Sequence, residues 1–394
     1  MLSAGIVAEY NPFHNGHYYH LNKTKTQTDA DVLICVLSGD FVQRGEVALC
    51  NKFLRTQMAL SAGADLVVML PYAYSCTSAE IFAYGAVNIL NQLSCGYISF
   101  GCEDDNLQNL HKTAEILSLE EKDFKASLKN HLSQGRSYAK SRQLAAEEYS
   151  PELNDILCSP NNILAVEYLK QIIINNYPIK PHAVKRVGAD HNSLKPDSVF
   201  ASASQIRQML KAKDNGYVSY VPYFTADILK DIKINDIENY KNIIYQNMLI
   251  STAQKLSSYP DISLSLANKI INNFNEFTSI SDFIDKMSDK HHAKARISRS
   301  LCHMICGFDI SYSELKSRPV PYIRVLGFNQ NGRKFLSQIK ENKNTVSNTY
   351  DFYSSSVGFA KRIFSYDLIA SDLFNLGIGT PKGIDYKTVP IYFD

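Results

Sequence analysis

Apolar positions fall in two regimes along this 394-residue chain. Through about residue 215, short continuous apolar runs alternate with stretches whose apolar residues recur at helical intervals. Such runs, bounded by polar and turn residues, predict buried strands, and their alternation with helices predicts a parallel sheet covered on both faces. The predicted strands are residues 2–8, 32–38, 65–70, 97–100 and 183–187. Between them, residues 18–28 read as a helix. Asn51 is placed to cap a helix that reaches Ala62 and ends at Gly63. Thr77-Ser78-Ala79-Glu80 reads as a capping box for a helix to about residue 93. Pro160 with Asn161 and Asn162 suits the first turn of a further helix, after a charged helical insertion over 104–150.

Beyond about residue 216 the alternation stops. Residues 222–310 keep helical periodicity, are rich in Asn and Ser, and predict a helical domain. Residues 318–394 mix strand-like runs with turns, with a strand over 322–328 and a helix over 332–339. The expected class is α/β: a Rossmann-like domain over 1–215, a helical domain over 216–310 and a mixed α/β segment over 311–394.

Composition narrows the function. A 45% hydrophobic content supports a large core. No run approaches the roughly 18 apolar residues of a membrane span. The short apolar N-terminal run has no basic segment before it, which argues against a secretory signal. Eight cysteines without a repeating framework read as reduced core thiols of a cytosolic protein. The net charge of +2 is unevenly spread: residues 1–200 hold 17 Lys/Arg against 21 Asp/Glu, residues 201–394 hold 24 against 18. The densest segment, 290–343, has 11 basic residues and three acidic ones. A nucleic-acid surface and an ordinary solvated basic face fit that charge equally. Within it, Arg296, Arg299 and His303 would lie along one side of a helix, and Arg324 and Arg333 accompany Tyr322 and Phe328, the mixture unpaired RNA bases favour. Cys302 and Cys306, with His291, His292 and His303 nearby, lack the second pair of a zinc site and read as core.

The chemistry gathers in the first loop, Glu9-Tyr10-Asn11-Pro12-Phe13-His14-Asn15-Gly16-His17. A strand turning there into a helix puts backbone N–H groups and a positive dipole end at the sheet's carboxyl edge, a place suited to phosphate. His14 and His17, three apart, face the same way on a first turn and can stabilise charge on a phosphate or a departing pyrophosphate. Gly16 lets phosphate approach the backbone. Ser202-Ala203-Ser204-Gln205-Ile206-Arg207, with Ser202, Ser204 and Arg207 at a helix start, is suited to a triphosphate tail. For Asn161 and Asn162, helix capping and a contact to a nucleotide both fit. Asp40 and Glu103, at strand ends, fit either a metal or an ordinary loop-capping role.

The first-loop motif, Gly39-Asp40-Phe41-Val42-Gln43-Arg44-Gly45-Glu46, Gly63-Ala64-Asp65-Leu66-Val67, Ser159-Pro160-Asn161-Asn162-Ile163-Leu164 and Ile323-Arg324-Val325-Leu326-Gly327-Phe328 follow in order along nearly the whole chain. In these the chain resembles the bacterial tRNA(Met) cytidine acetate ligase family of the nucleotidyl transferase superfamily. The resemblance implies activation of acetate by ATP to acetyl-adenylate, then transfer of the acetyl group to N4 of the wobble cytidine of elongator tRNA(Met), giving N4-acetylcytidine. It implies an ATP site made of Val7, Ala8, Glu9, Tyr10, Asn11, Pro12, Phe13, His14, Asn15, Gly16, His17 and His20, with Gly101, one of Asn161 and Asn162, Arg186 and Val187. Ser202, Ser204 and Arg207 are similar to the superfamily's second phosphate motif, in a less strict form. A magnesium ion is expected with ATP. Contacts to tRNA are expected from Arg296, Arg299, Arg324 and Arg333. A small-molecule nucleotidylyltransferase would explain the first half and leave the basic second half without a purpose. A non-catalytic binding module would not need both histidines.

Overall fold

The five expected strands of the first half become parallel neighbours within one mixed sheet. In the computed structural model, which describes residues 1–103, 106–119, 122–136, 138–149, 151–186, 199–276, 278–339 and 344–394, the strands are β1 (Ser3–Ala8), β2 (Val32–Ser38), β3 (Phe41–Val42), β4 (Glu46–Val47), β5 (Leu66–Leu70), β6 (Tyr97–Cys102), β7 (Lys180–Lys185), β8 (Ile323–Phe328), β9 (Thr345–Val346) and β10 (Ile391–Tyr392). The main sheet runs β10-β8-β5-β2-β1-β6-β7, with β9 beside β8. From β5 to β7 all neighbours are parallel. Central β2, Val-Leu-Ile-Cys-Val-Leu-Ser, is buried along its whole length, because helices cover both faces.

Helices named below are α1 (Asn15–Thr28), α2 (Lys52–Ser61), α3 (Ala79–Gln92), α4 (Pro160–Asn175), α5 (Ala203–Lys211), α6 (Lys294–Cys306) and α7 (Gly358–Gly377). Asn51 caps α2 through its side chain on Leu54 N, as its position predicts. Three expectations shift. The cap of α3 is Ser78, not Thr77, whose hydroxyl instead donates to Tyr74 O at 2.6 Å; Glu80 is then too early in the helix to reach back as a capping box requires. Strand β6 continues to Cys102, so Gly101 lies inside it. The polar loop 39–46 holds a hairpin, β3 paired antiparallel with β4. The expected strand end at Val187, and the Gly188-to-His191 stretch after it, lie outside the described residues.

The final segment does not stand apart from the sheet. β8 lies antiparallel against β5, Leu66 opposite Phe328 and Met69 opposite Arg324, and β10 extends the same edge. Buried charge ties that edge to the first domain. Lys52 Nζ sits 2.8 Å from Asp40 Oδ2 and 2.7 Å from Asp385 Oδ1, while Arg324 Nη1 is 2.7 Å from Asp385 Oδ2. Ser371 of α7 joins by accepting from Lys52 and donating to Asp385. Four charges this deeply buried are tolerable only because each has an opposite partner.

Candidate active site

Beyond β1 the chain passes through Glu9 and a left-handed Tyr10 (φ 46°) into α1. The turn is anchored below. Phe13 is fully buried, Tyr10 packs edge-on against Phe13 and His17, and Asn11 Oδ1 accepts from Leu49 N at 2.7 Å. Asn15 Nδ2 donates to Val199 O and Ser219 O at 3.1 and 3.2 Å. Asn11, Phe13 and Asn15 thus shape and fasten the loop, with Pro12 buried between them.

The two histidines cap α1 reciprocally. His14 Nδ1 accepts from Gly16 N (3.1 Å) and His17 N (3.4 Å), and His17 Nδ1 accepts from His14 N (3.3 Å). A backbone N–H can only donate, so both Nδ1 atoms must be unprotonated and both rings carry their proton on Nε2. The rings stack at 3.6 Å, 19° from parallel. Gly16 is required beneath them: a Cβ there would stand 2.9 Å from His14 Cε1. Burial, then the positive Arg186, holds His14 down to about 3; burial, then His14 and Arg186, holds His17 well below its ordinary value. The site therefore offers two neutral N–H donors at a helix N-terminus. His20 belongs to a second network, its Nε2 3.0 Å from Ser99 Oγ, which also meets His182 Nδ1 at 3.1 Å. Burial, then His182 and Arg186, lowers His20 to about 4.

A cavity of about 270 Å³ opens at this sheet edge. It brings together Val7, Ala8, Glu9, Tyr10, His14, Gly16, His17 and His20 from β1 and α1 with Gly101, Asn161, Arg186, Ser202, Ser204 and Arg207. Of the two asparagines, Asn161 reaches the cavity and donates to Glu103 Oε1 at 2.5 Å; Asn162 is buried, its Oδ1 accepting from Glu103 N at 2.9 Å. Ser202 caps α5 in a box with Gln205. Arg207 donates to Asn11 O at 3.0 Å and Glu46 Oε2 at 2.6 Å, so the second motif grips the first loop and the hairpin at once. Val187 lies outside the described residues.

Part of the wall lies outside the residues expected from sequence: Gln43 and Arg44 from the hairpin, Phe82 of α3 and Tyr168 of α4. The 39–46 motif was the one available signal. Phe82 and Tyr168 look like ordinary helix-face residues and gave none.

Two of the four arginines expected at tRNA need correction. Arg324 is 3% exposed and paired with Asp385; Arg299 is 8% exposed and paired with Asp261 Oδ2 at 2.6 Å. Both belong to the interior, where an RNA phosphate does not reach. Arg296 is half-buried, its Nε on Asp261 O at 2.7 Å, and Arg333 is exposed. The face of α6 expected to carry RNA contacts turns inward, and His303, Cys302 and Cys306 are core. Asp40 is spent on Lys52 and on Arg55, 3.8 Å away. Among the described residues no group of three or more His, Cys, Asp or Glu is arranged to hold a metal.

Comparison with known proteins agrees with this geometry. The HIGH Nucleotidyl Transferase family model matches residues 1–386. A tRNA(Met) cytidine acetate ligase of Caldicellulosiruptor saccharolyticus is 41% identical over 352 residues, 86% of each chain. One of Clostridium acetobutylicum is 41% identical over 373 residues, 90% of this chain and 92% of its own; one of Clostridium novyi is 36% identical over 98% of both. The crystal structure of Thermotoga maritima TmcAL bound with alpha-thio ATP superposes over 100% of both chains with a TM-score of 0.92 at 26% identity.

Proposed function

The chain belongs to the tRNA(Met) cytidine acetate ligase family of the HIGH nucleotidyl transferases, and on that premise we propose how its cavity performs ATP-dependent acetylation of tRNA(Met). The observation that carries the reading is the pair of Nε2–H donors at the N-terminus of α1, in a cavity shared with Arg186 and Arg207. Acetate attacks the α-phosphorus of ATP, the bond to the bridging oxygen breaks, and pyrophosphate leaves with the electron pair. His14 and His17 donate to the phosphate oxygens on which charge grows, and need no proton transfer to do so. Holding acetate in line supplies most of the remaining effect, since a carboxylate is a weak nucleophile. In the second step N4 of the cytidine attacks the acetyl carbonyl and AMP departs.

The acidic residues of the cavity do not form a metal site. Of the two that line it, Glu46 is engaged by Arg207 and Glu9 accepts from Gln43 N; Glu103, outside the lining, is engaged by Asn161. Magnesium would therefore arrive on the nucleotide's own phosphates, and no step is assigned to it. Arg333, exposed on the C-terminal segment, is the arginine of the expected set best placed for tRNA, with Arg296 beside it in rank. No helix among the described residues is long and apolar enough to cross a membrane. ATP, acetate and tRNA meet in the cytoplasm, where we place the reaction.

The test is incorporation of labelled acetate into tRNA by the purified protein with ATP. Label is expected in elongator tRNA(Met), and His17→Ala should lower the rate by about 10²–10³, the usual effect of losing one such donor. ATP-dependent pyrophosphate release with another small acid, and no labelled tRNA, would favour a small-molecule nucleotidylyltransferase instead.

A further inference from the structure

The histidines handle phosphate charge, but neither can take a proton. Both Nδ1 atoms are held by backbone N–H groups and both Nε2 atoms already carry hydrogen. Yet the second step must release one. The lone pair of cytosine N4 is delocalised into the ring, so the amine attacks well only as its proton departs. The other groups of the cavity are mostly committed. Glu46 pairs with Arg207, and His20 is a weak base with its Nε2 on Ser99; Glu103 is outside the cavity lining, its Oε1 accepting from Asn161 and its Oε2 sealed from solvent.

Glu9 differs. It stands at the carboxyl end of β1, five residues before His14, and lines the cavity with Phe82 and Tyr168. Its Oε1 accepts from Gln43 N at 2.9 Å, which fixes the carboxylate. Among the described residues no hydrogen bond reaches its Oε2, and that atom is not sealed from the cavity. The apolar rings beside it suit an acetyl methyl group.

We propose that Glu9 Oε2 accepts the N4 proton during acetyl transfer, an assignment that rests on reading the chain as a tRNA cytidine acetate ligase. N4 forms its bond to the acetyl carbon, the carbon–oxygen bond to AMP breaks with its electron pair going to the phosphate, and the proton passes to Glu9, which later loses it to water. Burial raises the Glu9 carboxyl, Gln43 N opposes this, and Glu46 adds to the rise. The other groups facing it are Arg207 of α5, Arg44 of the hairpin, Arg55 of α2, which donates to Glu9 O at 2.7 Å, and the Tyr168 phenol of α4, which stays protonated; His14 and His17 of α1 are neutral. A carboxylate lifted in this way is a better base than an exposed one.

The experiment uses the full chain, chemically prepared acetyl-adenylate and elongator tRNA(Met) under single turnover, beside acetate-dependent pyrophosphate exchange. Glu9→Gln keeps the acceptor for Gln43 N and loses the base. Transfer should fall about 10²- to 10⁴-fold and exchange less than about tenfold. The acidic limb of the wild-type transfer profile should vanish in this variant. Transfer at the wild-type rate would overturn the assignment, as would equal loss of exchange and transfer, which would put Glu9 in the first step. If Glu9→Gln does not fold, Glu9→Asp must keep the acidic limb at a reduced rate, and a flat profile there overturns the assignment too. Failure of the wild type to acetylate tRNA at all would instead sink the functional reading beneath it.

Discussion

His14 and His17 are donors whose state the backbone dictates. His14 gives its Nδ1 lone pair to N–H groups of the first helical turn and His17 gives its own to the N–H of the cap residue His14, and burial beside Arg186 keeps the rings neutral far below physiological pH. Histidine C2–H resonances assigned to these two in the free protein should therefore show no inflection between about pH 5.5 and 8, where an ordinary imidazole titrates. A midpoint near 6.5 for either ring would break the tautomer argument. Asp367 is a buried acid with the opposite leaning. Burial pushes it up to about 6, although it accepts from Tyr322 Oη at 2.5 Å and Tyr72 N at 2.7 Å. The unfolded chain releases this proton near the ordinary value of 3.8, the folded chain only near 6. Between those values the unfolded state holds fewer protons, so this group's contribution to stability falls as pH rises and levels off above about 6. The shift corresponds to about 3 kcal/mol. Denaturant titrations of Asp367→Asn, which keeps an acceptor for Tyr72 N, should lack that fall when set against the wild type.

The β3–β4 hairpin shows how an element is placed by something far away in sequence. Gly45 turns it at φ 79°, and a Cβ there would lie 2.2 Å from Arg299 N of α6. The helical region is thus wedged directly against the hairpin that carries Gln43 and Arg44 to the cavity. Gly45→Ala should cost about 1–3 kcal/mol through backbone strain and overlap with main-chain atoms that cannot step aside. Thermal unfolding measures the cost, and an unchanged melting temperature would mean that α6 yields. Helix starts teach a related lesson. Asn51 is the one good cap before its apolar run, and it caps. Ser78 ranks above its neighbour Thr77 as a cap, and the Thr77 hydroxyl is already bonded to Tyr74 O, so Ser78 caps α3.

Across the whole molecule, the C-terminal segment is part of the sheet that carries the site. β8 covers the edge of β5, and Asp385 neutralises both Lys52 and Arg324 from beyond α7. Asp385→Ala would leave Lys52 with Asp40 as its ion-pair partner and Arg324 with none among the described residues, Asp367 acting on both from beyond ion-pair distance. A loss of about 3–5 kcal/mol is expected, the usual result of breaking a buried pair from one side. Chemical denaturation reads this directly, and a loss below about 1 kcal/mol would show that water reaches the network. The same arrangement explains why a basic count in the second half misleads: two of the four arginines assigned to RNA are consumed in holding these layers together.

What the sequence determined by itself is local. Four apolar runs specified four largely buried parallel strands, because covering both faces of a sheet calls for such runs; the fifth, β7, is a partly exposed edge strand that starts three residues before the expected 183. The spacing of His14, Gly16 and His17 after such a strand specified a phosphate-suited helix start, because three residues apart is one turn. What only the tertiary structure decided is everything set by partners distant in the chain. It placed β8 antiparallel beside β5, withdrew Arg299 and Arg324 from solvent, and brought Asn161 rather than Asn162, with Phe82 and Tyr168, to the cavity wall. The physical reason is the same in each case. A charge or an aromatic ring has the same identity on a surface as in a core, and only its neighbours in space, brought from tens to hundreds of residues away, fix which it occupies.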